Sequence, residues 1–584
     1  MEDPITDKRS FWPSRQEINT AVRSLNIKTK FVLAGFFVVG TLCLLIAVIT
    51  FNNSLMVEVA APGGQVTEGI IGSPRFINPL LAISDADRDL TALVYSGLMR
   101  QGPNGQLIPD LAYSYEQSAD GLEHTFILKD NIYWHDGQKI TTADIEFTVL
   151  KAQDPLIKSP RRLNWEGVSV EVVDNRKIIF RLNQGSSSFW ENTLMGILPK
   201  HLWSDLEGEA FSFSELNTKP IGSGPYKIEK IKRNSDGVPE YYDLERFKKF
   251  ALGQANIELV RIRFFGNEDD LLSAWQKEEI GTLSAISPKR LAELDLSNFN
   301  VLEHPLPRVF GIFFNQNQAQ VLLNDEVRQA LDLVIDREKI VDEILFGFGQ
   351  IAETAIPNNN KELTLKNINH ETPIKEQAAN ILIKAGWGKN ENGIWQKEAE
   401  DNLEVLSFNI ATADSTEIKS IAELIGQTWR DFGAQVEVEV FETGALNQNV
   451  IRPRKYDALL FGLSYGQDRD PYPFWHSSQR LDPGLNVSMY TNIKADKLLE
   501  EMRTAVNSED RQEKIEQFEI EIANDRPAIF LYTPHFIYIQ PKSIKGISLE
   551  NTTLPAERFI NIHEWYIKTE KVWDFFAQPE KILN

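Results

Sequence analysis

From Phe31 the chain reads "FVLAGFFVVGTLCLLIAVITF", and no charged residue occurs between Lys30 and Glu58. A run of about 20 apolar residues is long enough to cross the hydrocarbon core of a bilayer as one helix. This run is apolar on every face, whereas a helix lying on a soluble core keeps a polar stripe. Residues 31–52 are therefore read as a membrane helix. Residues 1–30 carry the bases Lys8, Arg9, Arg15, Arg23, Lys28 and Lys30 against the acids Glu2, Asp3, Asp7 and Glu17. Positive charge beside a span marks the cytoplasmic side. The expectation is a single-pass protein of the cell membrane, with a cytoplasmic stub (1–30) and everything after about residue 55 outside.

A secretory signal has a shorter apolar region, about 7–15 residues. The small residues of "VAA" at 59–61 lie well downstream of the run. Cys43, the single cysteine, sits between Leu42 and Leu44 inside it. A lipid-bearing cysteine would instead follow small residues at the end of such a run. The helix is read as an uncleaved anchor and Cys43 as a small apolar residue.

With one cysteine, neither an internal disulfide nor a cysteine-based zinc site can form. The 584 residues are enough for several lobes around a large core. The formal charge of −22 argues against a nucleic-acid partner, which needs clustered Lys and Arg. It is read as a solubility device.

Beyond a linker at 53–65, helix and strand patterns interleave without a repeat period. "HTFILK" (124–129), "KIIFRL" (177–182) and "QVEVEVFE" (435–442) read as strands; in the last, valine alternates with acid, so one face is buried. Residues 414–432 place Ile418, Ile421, Ala422, Ile425, Trp429 and Phe432 at helical steps, with Asp414 and Glu417 spaced as a capping box and Gly433 as the stop. Residues 325–345 read as helix, with Asp336 placed to cap a second helix inside it, and 375–386 as a third helix. The pattern predicts a mixed α/β body of more than one lobe.

Catalytic signatures are sparse. The sequence has no GxxxxGK[ST], no HExxH and no GxSxG. "GSGPY" (222–226) lacks the spacing of a nucleotide loop and is read as a structural turn. "WHDG" (134–137) lies between two strand-like runs, where Asp-Gly signals a hairpin turn. The stretch "SYGQDRDPYPFWHSSQ" (464–479) brings together Asp468, Asp470 and His476 among aromatics. Pro471 and Pro473 interrupt it, so nothing lines these side chains up for a metal, and no metal or cofactor is expected.

Several ordered blocks resemble one family. They are "VYSGLMRQGPNGQLIPDLAYSYEQSADGLEHTFILKDNIYWHDGQKITTADIEFTVLKAQDP" (94–155), "KPIGSGPYKIEK" (219–230), the run from "FFNQ" to "NDEVRQALDLVIDREKIV", "YDALLFGLSYGQDRDPYPFWHSS", and the block ending "RPAIFLYTPHFIYI". Together, over about 66–548, they are similar to the extracytoplasmic solute-binding proteins of the oligopeptide, dipeptide and nickel group, family 5, which feed ABC importers. The resemblance implies a type II, two-lobed periplasmic-binding-protein-like fold with an extra subdomain inserted in lobe I. The expected boundaries are lobe I over 66–304, its insert at about 90–200, lobe II over 305–534, a return to lobe I over 535–567 and a tail over 568–584. It implies a non-enzymatic monomer that traps a solute by hinge closure and delivers it to permease subunits.

In peptide-binding relatives a carboxylate that meets the ligand amine often lies three residues before an Asp-Pro pair. Here that position is Gln467, which brings no charge, and Asp468 lies one place on. The resemblance implies a ligand set of Asn78, Phe310, Phe313, Tyr465, Gln467, Asp468, Asp470, Tyr472 and Trp475, with Asp470 and the prolines also setting the turn. Peptide is the first expected solute. An oligosaccharide, an opine-like compound or a metal chelate in the same cleft stays open, as do a surface hydrolase built on Asp468, Asp470 and His476 and a receptor signalling through its helix.

Overall fold

The computed structural model of the protein describes residues 13–102, 105–183, 189–284, 286–357, 373–398, 403–466, 469–505, 508–550 and 552–576. The chain forms two compact units, Pro62–Ile567 and a smaller one drawn from the two ends, up to Ala61 and from Lys568 onward.

In the smaller unit, helix Arg15–Ser24 starts at a capping box in which Ser14 and Glu17 satisfy each other's backbone donors. Helix Ile27–Ser54 follows and contains the whole of 31–52, with no buried residue. A soluble core helix would bury one face. The stretch read as a linker is ordered: Met56–Ala61 is a strand paired antiparallel with Lys568–Trp573 from the tail. That partner lies some 500 residues on, and no local pattern announces it.

The larger unit is built on one sheet shared by two lobes. Its order runs Gln435–Phe441, Ser407–Ala413, Ala458–Ser464, Arg308–Phe314, Ala528–Pro541, Thr282–Ser284, Gln65–Ile71, Leu259–Phe265, Pro239–Arg246, Tyr226–Arg233. The 14-residue strand Ala528–Pro541 belongs to both halves. Its first part pairs with Arg308–Phe314 and Gly349–Ile351, up to Pro534. From His535 it pairs with Phe299–Pro305. The chain crosses a second time next to it, through Leu306 and Pro307, with the Leu306 N–H donating to the Pro534 carbonyl at 2.9 Å. Prolines 305, 307 and 534 supply no N–H, so the ladder is thinnest where the lobes join.

The strand periods sort the side chains as the alternation requires. In Arg308–Phe314, Val309 and Phe313 pack into the core on one face, and Ile312 and Phe314 into the core on the other. Helix Thr416–Phe432 covers the second face with Ile421, Ile425 and Trp429 and stops at Gly433, whose φ of +113° suits glycine. Its N-cap is Ser415, one residue later than the Asp414–Glu417 box expected. The stretch expected as helix over 325–345 divides where Asp336 was placed to cap a second helix: Asp325–Leu333 ends at Val334, and Asp336 caps the new start by accepting from the Lys339 N–H at 2.9 Å. In lobe I a separate four-stranded sheet, Ala112–Gln117, Glu123–Leu128, Lys177–Leu182 and Val168–Val172, forms the inserted subdomain.

Candidate ligand-binding cleft

Two motifs without an obvious role hold each other. Residues 134–137 form the tight turn expected, with Gly137 at φ +92° and its N–H on the Trp134 carbonyl. His135 then reaches across. Its Nε2 lies 3.1 Å from the Gly224 carbonyl, and its Nδ1 accepts from the Gly222 N–H at 3.3 Å. Burial, helped by Lys227, pushes the imidazole down to about 4 against the opposing pull of the Gly224 carbonyl and Asp136, so it is neutral and fixed in one tautomer. Gly222 and Gly224 are glycines by necessity: a Cβ on Gly222 would stand 2.0 Å from the Val94 carbonyl oxygen. The contact fixes the end of helix Asp85–Val94, which carries Arg88 and Thr91 into the cleft.

The cleft has two connected chambers. The smaller, about 320 Å³, lies among Arg88, Tyr95, Met99, Arg100, Asp110 and Arg161 of lobe I, and Tyr465 and Gly466 of lobe II. The larger, about 920 Å³, is lined by Leu163, Leu182 and Phe189 on one side and by Ser464, Asp470, Tyr472, Phe474 and Arg503 on the other. Asn164, Glu191, Asn192 and Gly466 belong to both.

The wall of the smaller chamber sets polar and charged side chains among apolar ones. Thr91 Oγ1, Tyr95 OH, Arg100 Nε and Asp110 Oδ1 are buried and have no hydrogen-bond partner among the described residues. A buried polar atom without a partner costs roughly 1–3 kcal/mol, and four such atoms belong to residues of this chamber's wall. Burial pushes the Asp110 carboxyl up to about 6, against the pull of Arg100 and Lys129. Burial, with Arg88 beside it, lowers the Arg161 guanidinium, while Glu557 and Glu191 act the other way. The chamber thus offers both signs of charge within one wall.

The residues expected from the sequence divide. Tyr465 lines the smaller chamber, but its hydroxyl is committed: it donates to the Ala355 carbonyl at 2.6 Å and accepts from Trp475 Nε1 at 3.1 Å. Its backbone N–H donates to the Pro307 carbonyl, beside the crossing between lobes. Tyr472 lines the larger chamber, stacked on His476 at 4.2 Å with the Arg503 guanidinium 4.0 Å over its ring. Asp470 sits there too, accepting from the Tyr472 N–H and pairing with Arg503 at 2.8 Å, as a turn-setting residue does.

Four others lie away from the chambers. Asn78 is wholly buried, its amide donating to Asn217 and its carbonyl accepting from Leu80. Phe313 and Trp475 meet in the core of lobe II. Phe310 stacks on Tyr532 at 4.8 Å over the opposite core face and lines neither chamber. Phe313 and Trp475, expected from the resemblance to meet ligand, are core residues here. Gln467 and Asp468 lie outside the described residues. His476 caps Ser478, with its Nδ1 accepting from that backbone N–H at 3.1 Å, rather than joining Asp470. No group of three His, Cys, Asp or Glu side chains is poised for a metal ion among the described residues.

Arg88, Arg161, Tyr95 and Asp110 went unremarked in the sequence. They come from three separate segments, Arg88 and Tyr95 sharing one helix and its cap, and only Tyr95 and Asp110 fall inside a block that carried the family resemblance.

Residues 106–482 match the family model described as the middle part of the bacterial extracellular solute-binding proteins, family 5. This chain belongs to that family. The oligopeptide-binding protein AppA of Bacillus subtilis is 26% identical over 530 residues, covering 88% of this chain and 94% of AppA. The solved structure of AppA in complex with a nonapeptide superposes with a TM-score of 0.68, at 26% identity, over 87% of this chain and all of that one. NikZ from Campylobacter jejuni in complex with Ni(L-His) gives the same TM-score and identity over 86% of this chain and 99% of NikZ. The fold is thus the two-lobed one of the extracytoplasmic binding proteins of ABC importers. AppA is named as an oligopeptide-binding protein.

Proposed function

We propose that this protein is a membrane-anchored receptor of an ABC importer, which captures peptides between its lobes by hinge closure and passes them to permease subunits. One observation carries the reading: a charged two-part cavity, with unpartnered donors and acceptors, faces both lobes beside a proline-thinned crossing. AppA, similar along most of its length, holds a nonapeptide. The larger chamber has room for side chains, and Arg88, Arg161 and Asp110 offer partners for polar and charged groups of a peptide. Gln467 and Asp468, next after Gly466 in the chain, are carried forward as candidate contacts to the ligand amine. Helix Ile27–Ser54, with no buried residue, supports an uncleaved anchor that leaves the larger unit outside the membrane. The protein acts as a monomer and does no chemistry on its ligand.

Titration calorimetry of the full chain in detergent, with defined peptides from dipeptides to nonapeptides, tests this. Saturable binding supports it; heat with none of them removes it. A second reading keeps the cleft and replaces the peptide by a metal chelate. The uncharged Gln467 and the likeness to NikZ with its Ni(L-His) favour that. Binding of a nickel–histidine complex, with no peptide bound, would select it.

A further inference from the structure

The described part of the tail after Ile567 holds three aromatic residues in contact. Strand Lys568–Trp573 runs antiparallel to Met56–Ala61, pairing Trp573 with Met56 at the foot of the apolar helix. The Trp573 indole Nε1 donates to Asn52 Oδ1 at 3.1 Å, and the Asp574 N–H donates to the Leu55 carbonyl at 2.9 Å. Asn52 is the first polar residue after the run that ends at Phe51. The hydrogen bond therefore fixes the indole at the level where that run stops.

Beyond it the chain turns and presents two more rings. Phe575 and Phe576 lie 3.8 Å apart and Trp573 is 6.3 Å from Phe575. Trp573 is 44% exposed, Phe575 74% and Phe576 71%. Three exposed aromatics in contact are costly in water, and a protein surface that keeps them has a use for them. Amphipathic rings collect at the headgroup level of membranes, where the ring is covered and the indole N–H keeps a polar partner.

We propose that Trp573, Phe575 and Phe576 insert into the headgroup–acyl boundary on the outer face of the bilayer that the helix spans. The tail is then a second membrane contact, and both strands of the ribbon are tied to the bilayer at the end where Met56 pairs with Trp573. This rests on the reading of residues 31–52 as a span, and the test separates the two.

The single native cysteine makes site-specific labelling direct. An environment-sensitive fluorophore is placed on Phe576→Cys in a Cys43→Ser background, on Phe575→Cys in the same background, and on native Cys43. The full chain is reconstituted in phosphatidylcholine vesicles containing lipid spin-labelled either near the carbonyl or in mid-chain. Phe213→Cys, on an exposed site of the larger unit, is the aqueous control. The expected result is blue-shifted emission at 575 and 576, quenched more by the shallow label than by the deep one, with Cys43 quenched most by the deep one. Emission at both tail sites like that at 213, while Cys43 is quenched by the deep label, overturns the insertion and leaves the span. An unquenched Cys43 overturns both.

Discussion

The Arg558 guanidinium donates to both oxygens of Asp89, at 2.9 and 2.6 Å, with neither side chain open to water. It also donates to Glu68 at 2.9 Å, and Tyr538 donates to the other Glu68 oxygen at 2.7 Å. Four distant segments meet there: the first strand of lobe I, the helix that bears Arg88, the strand that crosses between lobes, and the returning chain. Burial pushes the Asp89 carboxyl up to about 6 in spite of Arg558, so the network holds charge at a cost.

Removing one partner strands the others. Arg558→Ala should destabilise the larger unit by about 3–5 kcal/mol, because two carboxylates are left buried and unpaired. Arg558→Met combined with Glu68→Gln and Asp89→Asn should recover most of that loss. Denaturant unfolding of the full chain in detergent measures both.

His135 sets an acid dependence. Its folded value of about 4 lies below the usual 6.5, so the stability it brings is complete above 6.5 and is lost as pH falls toward 4. Asp89 and Asp110, both raised to about 6, work in the opposite direction, since their folded state binds protons more readily. His135→Gln should therefore lose less stability than the parent between pH 7 and pH 4, by on the order of 1–3 kcal/mol. An unchanged difference across that range would remove the neutral-imidazole account of the turn.

Tyr465→Phe deletes one hydroxyl and breaks two hydrogen bonds, leaving the Ala355 carbonyl and the Trp475 indole unpaired. A loss of about 1–3 kcal/mol is expected. Asp470→Asn keeps an acceptor for the Tyr472 N–H while removing the ion pair with the half-exposed Arg503, and should cost under about 1 kcal/mol.

Ligand affinity should follow the charges of the smaller chamber. Arg88→Gln and Arg161→Gln should each weaken binding of the preferred peptide by about tenfold or more, because a charged hydrogen bond is lost in a site screened from water. Asp470→Asn should leave affinity within about twofold. Calorimetric titration of the variants gives the values, and an Asp470 variant that no longer binds would make Asp470 a ligand residue rather than a turn residue.

The secondary structure that could be read in advance was the part with local causes. Valine alternation gives the strand over 435–441, and apolar steps ending at Gly433 give the helix over 416–432. The restart at Asp336 was also legible, because its cap is local, whereas the strand over 56–61 depends on a partner far along the chain, which local pattern cannot supply. The same limit governed the cleft. Phe313, Trp475 and Asn78 looked like binding residues because core and binding positions draw on the same residue types, and only burial separates them. Arg88, Asp110 and Arg161 acquire meaning once the turn at 222–226, His135 and the helix over 85–94 have brought their segments together.

The most direct test of capture between lobes is the distance between them. Spin labels on Tyr113→Cys in the inserted subdomain and Leu481→Cys in lobe II, both at exposed sites, in a Cys43→Ser background, report it by electron–electron double resonance. A saturating peptide should shorten and narrow the distance distribution of the full chain, and the Arg88→Gln, Arg161→Gln double variant should need far more peptide to do so. A distribution that no peptide changes would contradict the account.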